Sequence, residues 1–161
     1  MARKNVSEII IKDARIFFKN FSGEESKFNR KGDKNFCVAI EDAEVAAQMI
    51  EDGWNVKLQK PLDEDDEPSY YVQVKVSFDP YPPKVYMITG QNKVELNEET
   101  IASLDYADIG KVNLIIRPYT WEVSGKSGIS AYLKTMYVEI NEDPFAAEYS
   151  HLDDEDLPEM Y

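Results

Sequence analysis

Aromatic and cationic side chains share a face in four segments of this sequence that are expected to form β-strands. Side chains two residues apart on a strand point to the same side. The rings and cations of each segment should therefore lie together, on the side opposite its apolar residues. These residues are Arg15, Phe17, Lys19 and Phe21 in the first segment, Tyr71 and Lys75 in the second, Arg117, Tyr119 and Trp121 in the third, and Tyr132 and Lys134 in the fourth.

This combination suits a single-stranded nucleic acid. Unpaired bases stack on aromatic rings, at about 1–3 kcal/mol per base, and cations contact the phosphates without regard to sequence. Duplex recognition would instead favour a basic helix, and neither predicted helix is basic. The same rings could form a second core layer or a dimer interface, since aromatic residues favour strands for packing reasons alone.

A loop between the first two predicted strands adds to this surface. Its sequence offers Phe28 for stacking and Arg30, Lys31 and Lys34 for phosphate contact. Because it is rich in Asn and Gly, it could also be only a flexible turn. Its basic excess favours contact with an anion.

Catalytic chemistry has little support in the sequence. The single histidine, His151, lies in the acidic C-terminal segment, and no Cys/His cluster has zinc spacing. Gly125-Lys126-Ser127 resembles part of a phosphate loop, but Thr120 stands where that motif needs glycine, and the motif should join a strand to a helix. We therefore predict a protein that is not an enzyme and has no metal site and no cofactor.

The elements that would position these residues are mostly strands. The patterns predict strands over 7–21, 36–40, 70–78, 85–89, 112–121 and 129–140, with Ile10, Ala14, Ile16 and Phe18 as the apolar face of the first. Helices are predicted over 42–52, with Val45, Met49 and Ile50 on its apolar face, and over 97–104, with Asn97 as a possible N-cap. This set predicts a mainly β fold, an OB-fold-like five-stranded Greek-key barrel with one or two short helices, over residues 1–140.

The charge is unevenly distributed. The 161 residues carry a net charge of −13, to which residues 141–161 contribute −8 and the run 63–67 another −5, so the remainder is neutral. Residues 1–40 hold nine Lys or Arg against five Asp or Glu. The single cysteine, Cys37, lies in an apolar run and is expected to be a buried structural thiol in a reducing compartment. No apolar run approaches the length of a membrane span, so no membrane association is expected.

The C-terminal segment 141–161 is predicted to be a disordered tail that binds partners. Its like charges repel, and its few apolar residues cannot offset the entropy of ordering. The residues expected to enter a basic pocket on another protein close the chain: Asp153, Asp154, Glu155, Asp156, Leu157, Pro158 and Tyr161.

The sequence resembles the single-stranded DNA-binding proteins of tailed bacteriophages. The similarity lies in Phe18-Lys19-Asn20-Phe21-Ser22-Gly23, in Phe28-Asn29-Arg30 with Lys34-Asn35-Phe36-Cys37-Val38, and in Ile116 to Trp121 leading through Gly125, Lys126 and Gly128 to Ala131-Tyr132-Leu133-Lys134. Asp156-Leu157-Pro158 is also similar to the end of bacterial single-stranded DNA-binding proteins, although Glu159 and Met160 separate it from the terminal aromatic Tyr161.

This resemblance implies an OB-fold core, an acidic tail that competes with DNA for the cationic groove, and a role in phage replication, recombination or repair. Its partners would be single-stranded DNA and, through the tail, replication or recombination proteins, in the cytoplasm of the infected bacterium. The alternative is an acidic adaptor or DNA mimic that acts on a host enzyme. The sequence leaves a homodimer open, because exposed strand edges could pair two chains.

Overall fold

The computed structural model describes residues 6–27, 29–59, 65 and 68–141, and these form a mainly β molecule. In chain order its strands are β1 (Ile9–Ile11), β2 (Ile16–Asn20), β3 (Lys34–Ile40), β4 (Val56–Gln59), β5 (Ser69–Val76), β6 (Lys84–Thr89), β7 (Asn92–Leu96), β8 (Ile109–Val123) and β9 (Lys126–Ile140). One α-helix, α1 (Ala43–Asp52), lies between β3 and β4, and a 3₁₀ helix (Ile101–Asp105) lies between β7 and β8.

Six strand segments of the sheet close into a ring, and two of them are halves of one strand, which makes five strands in all. The hydrogen-bonded order is β1-β8-β9-β5-β3-β2, and its two end strands, β1 and β2, are consecutive in the chain. They are the two halves of one bent strand, of which one half pairs with β8 and the other with β3. The parallel pairing of β5 with β9 completes the ring, and β4, β6 and β7 are attached outside this path. The mainly β, OB-fold-like architecture predicted from the sequence is confirmed.

The bend in the first strand corrects the prediction of one continuous strand over 7–21. The chain turns at Asp13, whose φ is +50°, and a second irregularity follows at Phe18, whose φ is +49° and where the register of β2 on β3 shifts. Each such irregularity interrupts the alternation of faces. As a result Ile10 is 68% exposed and Phe18 is 66% exposed, although the pattern predicted both in the core.

The core fills the barrel with the apolar faces of these strands. Val72, Val74 and Val76 point inward from β5, as their alternation predicts, opposite Phe36 and Val38 of β3. Each fully buried apolar side chain of this size contributes about 1.5–3 kcal/mol through removal from water.

Asp42 caps the N-terminus of helix α1, where its side chain accepts a hydrogen bond from the amide of Glu44, and Gly53, with a φ of +107°, caps the C-terminus. Its buried residues are Ala46 and Met49, whereas the predicted contacts Val45 and Ile50 are exposed. The second predicted helix is only the short 3₁₀ turn. The Asn97 side chain does accept hydrogen bonds from the backbone amides of Glu99 and Thr100, just before the 3₁₀ helix.

The hairpin β8–β9 is longer than predicted and turns over two residues. Ser124 and Gly125, with φ of +51° and +79°, form the turn. Positive φ at both central residues is the condition for a two-residue turn whose twist matches that of its strands. Gly125 therefore ends the turn while Lys126 and Ser127 begin β9, so Gly125-Lys126-Ser127 lies between two strands and a phosphate loop is excluded here. No helix in the described part of the chain has the length and apolar character needed to cross a membrane.

Candidate nucleic-acid interface

A row of outward side chains crosses four strands of the barrel. Asn35 on β3 is the cross-strand partner of Lys75 on β5, Lys75 is the partner of Tyr132 on β9, and Tyr132 is the partner of Arg117 on β8. The Lys75 ammonium lies 5.8 Å and the Arg117 guanidinium 5.5 Å from the centre of the Tyr132 ring. A tyrosine is thus flanked by two cations on the outer face of the barrel.

Further rings extend this group, which we call the Tyr132 cluster (Lys75, Tyr81, Arg117, Tyr119 and Tyr132). Tyr119 packs edge-on to Tyr132 with 5.7 Å between ring centres and is 56% exposed. The Arg117 guanidinium also lies 5.4 Å from the centre of Tyr81, which the proline-rich turn after β5 carries over this face. The rings can therefore offer surfaces to bases while the cations remain within reach of phosphates.

A second group, the Phe17 cluster (Arg15, Phe17, Phe18 and Tyr71), lies on the outer side of β2 and β5. The Phe17 ring is 5.4 Å from Tyr71 and 4.9 Å from Phe18, both edge-on. The Arg15 guanidinium lies 5.6 Å from the Phe17 centre and 3.7 Å from a carboxylate oxygen of Glu41. Because both side chains of that ion pair are mostly exposed, the pair is weak and leaves Arg15 available to a phosphate.

Cys37 and Gln73 occupy the outer face between the two clusters. Cys37 of β3 pairs with Phe17 of β2 on one side and with Gln73 of β5 on the other. Its neighbours leave the residue only 6% exposed. Burial raises the pKa of the Cys37 thiol, and the nearby Lys57 ammonium opposes part of that rise. The expected burial of this thiol is confirmed.

A polar groove of about 520 Å³ borders the Tyr132 cluster. The loop 29–33 and the start of β3 form one wall, and the loop is held by Asn29, whose side-chain amide nitrogen donates to the carbonyls of Glu24, Arg30 and Asp33. Three cations and three carboxylates line the groove: Arg30, Lys34 and Lys75, with Asp33, Asp79 and Glu98. The cations of this groove suit contact with a phosphodiester. The carboxylates beside them suit hydrogen bonds from the amino groups of bases.

Most of the predicted DNA-binding residues lie on or beside this outer face. Those in the two clusters or lining the groove are Arg15, Phe17, Arg30, Lys34, Tyr71, Lys75, Arg117, Tyr119 and Tyr132. Trp121 continues the outward row of β8 beyond Tyr119 and is 37% exposed, and Lys31 is exposed in the loop. Phe28 and the tail residues Asp153, Asp154, Glu155, Asp156, Leu157, Pro158 and Tyr161 lie outside the described residues.

Three predicted residues have other positions or partners. Phe21 is fully buried and stacks on Phe36 at 5.2 Å, because the irregularity at Phe18 reverses the alternation after it. For the same reason Lys19 turns toward the 3₁₀ helix and donates a hydrogen bond of 3.0 Å to the Leu104 carbonyl. Lys134 lies on the surface in an ion pair with Glu8, at 2.8 Å between nitrogen and oxygen.

Sequence reasoning missed three residues of this face. Strict alternation predicts Phe18 in the core, and Tyr81 lies in a turn to which no strand periodicity applies. Lys57 is the partner of Tyr71 through β4, a strand that was not predicted. The Pro-rich setting of Tyr81 was the only available signal, since an aromatic residue in an exposed turn has no core to fill.

The described residues hold no group of three or more side chains that could ligate a metal ion. The arrangement of rings, cations and amides supports binding by stacking and charge.

Comparison with known proteins identifies a family and solved structures of similar fold. Residues 1–159 match the family described as "Putative phage ssDNA-binding domain". The fold is similar to the single-stranded DNA-binding protein of bacteriophage Enc34 in complex with ssDNA, at 15% identity and a TM-score of 0.53, covering 86% of this chain and 89% of that one. A further structure of the single-stranded DNA-binding protein of bacteriophage Enc34 gives the same identity and TM-score, covering 92% of this chain and 88% of that one. No protein of curated function matches the sequence.

Proposed function

Because this chain belongs to the family of phage single-stranded DNA-binding domains, we propose that its outer β face binds single-stranded DNA without sequence preference. The observation that carries the proposal is the row from Asn35 through Lys75 and Tyr132 to Arg117, in which one ring is flanked by two cations. Rings in the Tyr132 and Phe17 clusters stack with bases, while the cations contact phosphates.

The tail has two roles in this proposal. Its acidic residues compete with DNA for the cationic outer face, since both are polyanions and the local positive charge is limited. Its terminal residues recruit replication or recombination proteins to the exposed strand. The protein thus acts as a binding protein in phage DNA replication, recombination or repair, in the cytoplasm of the infected bacterium.

A titration of fluorescent oligo-dT tests the proposal. The full chain is compared with a chain that ends after Asn141, a residue retained because its amide donates to the Asp108 carbonyl at 2.8 Å and closes the end of β9. We expect both chains to bind, the shorter one more tightly, with affinity falling as salt rises. The log–log slope should be about −0.7 for each phosphate neutralised.

A double variant, Tyr132→Ala with Arg117→Ala, tests the site itself. It should lose most of the binding, while its circular dichroism spectrum remains that of the native barrel. If neither the full chain nor the shortened chain binds oligo-dT at low salt, the proposal is contradicted. The acidic adaptor, for which the same face is a protein interface, is then favoured.

A further inference from the structure

A third aromatic group lies on the outer face of β9, beyond the two clusters described above. The rings of Tyr86 on β6 and Tyr137 on β9 stack with 4.9 Å between centres and 25° between planes. The Lys93 ammonium of β7 lies 4.9 Å from the centre of the Tyr86 ring. We call Tyr86, Lys93 and Tyr137 the Tyr137 cluster, and no sequence pattern had assigned it a role.

The Tyr137 cluster faces outward because of an irregularity in β9. Ala131 and Leu133 are buried, and then Met136 and Val138 are buried, so the alternation shifts by one residue between them. The register shows the shift directly: Ile116 pairs with Leu133, while its neighbour Ile115 pairs with Thr135. Tyr132 and Tyr137 are five residues apart and would point to opposite sides of a regular strand, yet both now point outward.

The surface between the two tyrosines is suited to contact with bases. Five residues of strand span about 16 Å, and the intervening neighbours include the exposed Ile10, whose partner on β8 is Ile115. An apolar cavity of about 280 Å³ lies along this stretch and is bordered by Ile10, Ile115, Thr135 and Tyr137. A base can pack against such a surface through its flat face.

We propose that the Tyr137 cluster is an additional subsite for the same DNA strand, extending its path along β9 past the Tyr132 cluster. The inference rests on the proposed function and adds to it a binding position. Its support is the continuity of the two clusters on one strand and their shared composition, rings beside a cation. Glu95 is the cross-strand partner of Tyr86, and Glu139 follows Tyr137 on the same face. Stacking should therefore outweigh phosphate attraction at this subsite.

Oligonucleotide length separates this subsite from the rest of the face. Single OB folds occupy about 4–16 nucleotides, so oligo-dT from the lower and upper ends of that range is titrated against the full chain. For Tyr137→Ala we expect an affinity loss of about tenfold for the longer oligonucleotide. The shorter one should bind as to wild type, because it is held by the Tyr132 and Phe17 clusters. The salt slope should stay at its wild-type value.

Two further variants keep the test sharp. Tyr137→Phe retains the ring and should bind both lengths as wild type does. Tyr106→Ala is the matched control, because Tyr106 is 87% exposed and lies in none of the three clusters. It should change neither affinity.

Several results would overturn the inference. These are an unchanged affinity of Tyr137→Ala for the longer oligonucleotide, an equal loss for both lengths, or a change of oligomeric state in sedimentation that marks Tyr137 as a protein interface. Binding of two short oligonucleotides per wild-type chain, with one lost in Tyr137→Ala, would replace the single path by two separate strands. If wild type bound neither length, the proposed function itself would fail, and this inference with it.

Discussion

The indole of Trp121 lies against the backbone of Gly128, its cross-strand partner in the β8–β9 hairpin. A Cβ atom at position 128 would come within 2.7 Å of Cζ2 of that indole. The ring therefore occupies the space that any other residue at position 128 would need for its side chain. This contact fixes the last ring of the outward row of β8 near the tip of the hairpin.

Replacing Gly128 by alanine should displace the Trp121 indole and weaken binding of oligo-dT. A stacked base contributes about 1–3 kcal/mol, and partial loss of one such contact predicts an affinity loss of about three- to tenfold. Thermal unfolding should change little, because the ring is partly exposed and can move outward. Ser130→Ala, one outward position further along β9, is the control. An unchanged affinity of Gly128→Ala would show that the indole does not contact DNA.

Replacement by alanine should mainly lower DNA affinity at Phe17 and mainly lower stability at Phe21, although both residues were predicted on the DNA-binding face. Phe21 is fully buried against Phe36, and Phe21→Ala should lower the free energy of unfolding by about 3–5 kcal/mol. Phe17→Ala should cost less stability and remove a stacking partner, with an affinity loss of about tenfold. Urea denaturation and oligo-dT titration of the two variants measure both effects. Equal effects on affinity at matched folded fraction would contradict the assignment.

The difference between these two residues shows what the sequence could and could not predict. The mainly β barrel, the inward row of β5 and the outward row from Arg117 to Trp121 follow from regular alternation, which holds where strands are uninterrupted. The positions of Phe18, Phe21, Lys19 and Tyr137 depend on irregularities in β2 and β9 that shift the alternation by one residue. Such shifts are set by barrel closure and strand pairing, which are long-range properties. A local pattern carries no signal for them.

The cations of the outer face should differ in their effect on salt dependence. Lys75 and Arg117 flank the Tyr132 ring and have no carboxylate partner among the ion pairs of the described residues. If each contacts one phosphate, Lys75→Ala or Arg117→Ala should reduce the magnitude of the log–log salt slope by about 0.7.

Lys134→Ala and Lys19→Met serve as comparisons for these slopes. The Lys134 ammonium donates to both carboxylate oxygens of Glu8, at 2.8 and 3.0 Å, a closer pair than that of Arg15 with Glu41 at 3.7 Å. Lys19 bonds the Leu104 carbonyl, so both slopes should remain closer to wild type. Lys19→Met should instead lower the free energy of unfolding by about 1 kcal/mol. A slope that falls by the same amount in all four variants would indicate a diffuse electrostatic effect with no specific phosphate contacts.

The Cys37 thiol on the outer face makes the free energy of unfolding depend on pH. Burial raises the pKa of Cys37 above its ordinary value of 9.0, with the Lys57 ammonium opposing. As pH rises past 9.0, the thiol of the unfolded chain loses its proton first, so the unfolded state binds fewer protons than the folded one. The free energy of unfolding must then fall with rising pH, until the folded thiol also ionises. Well below pH 9.0 the thiol is protonated in both states and adds no slope.

We therefore expect the stability difference between wild type and Cys37→Ala to be constant near neutral pH and to shift against wild type above pH 9.0. Taking the difference removes the titration of lysines and tyrosines, which both proteins share.

In the folded protein near neutral pH, disulfide reagents should modify Cys37 slowly, since attack requires the thiolate. Saturating oligo-dT should slow the modification further, because Cys37 lies between Phe17 and Gln73 beneath the proposed DNA path. A modification rate that oligo-dT leaves unchanged, under conditions where it is bound, would place the strand elsewhere on the barrel.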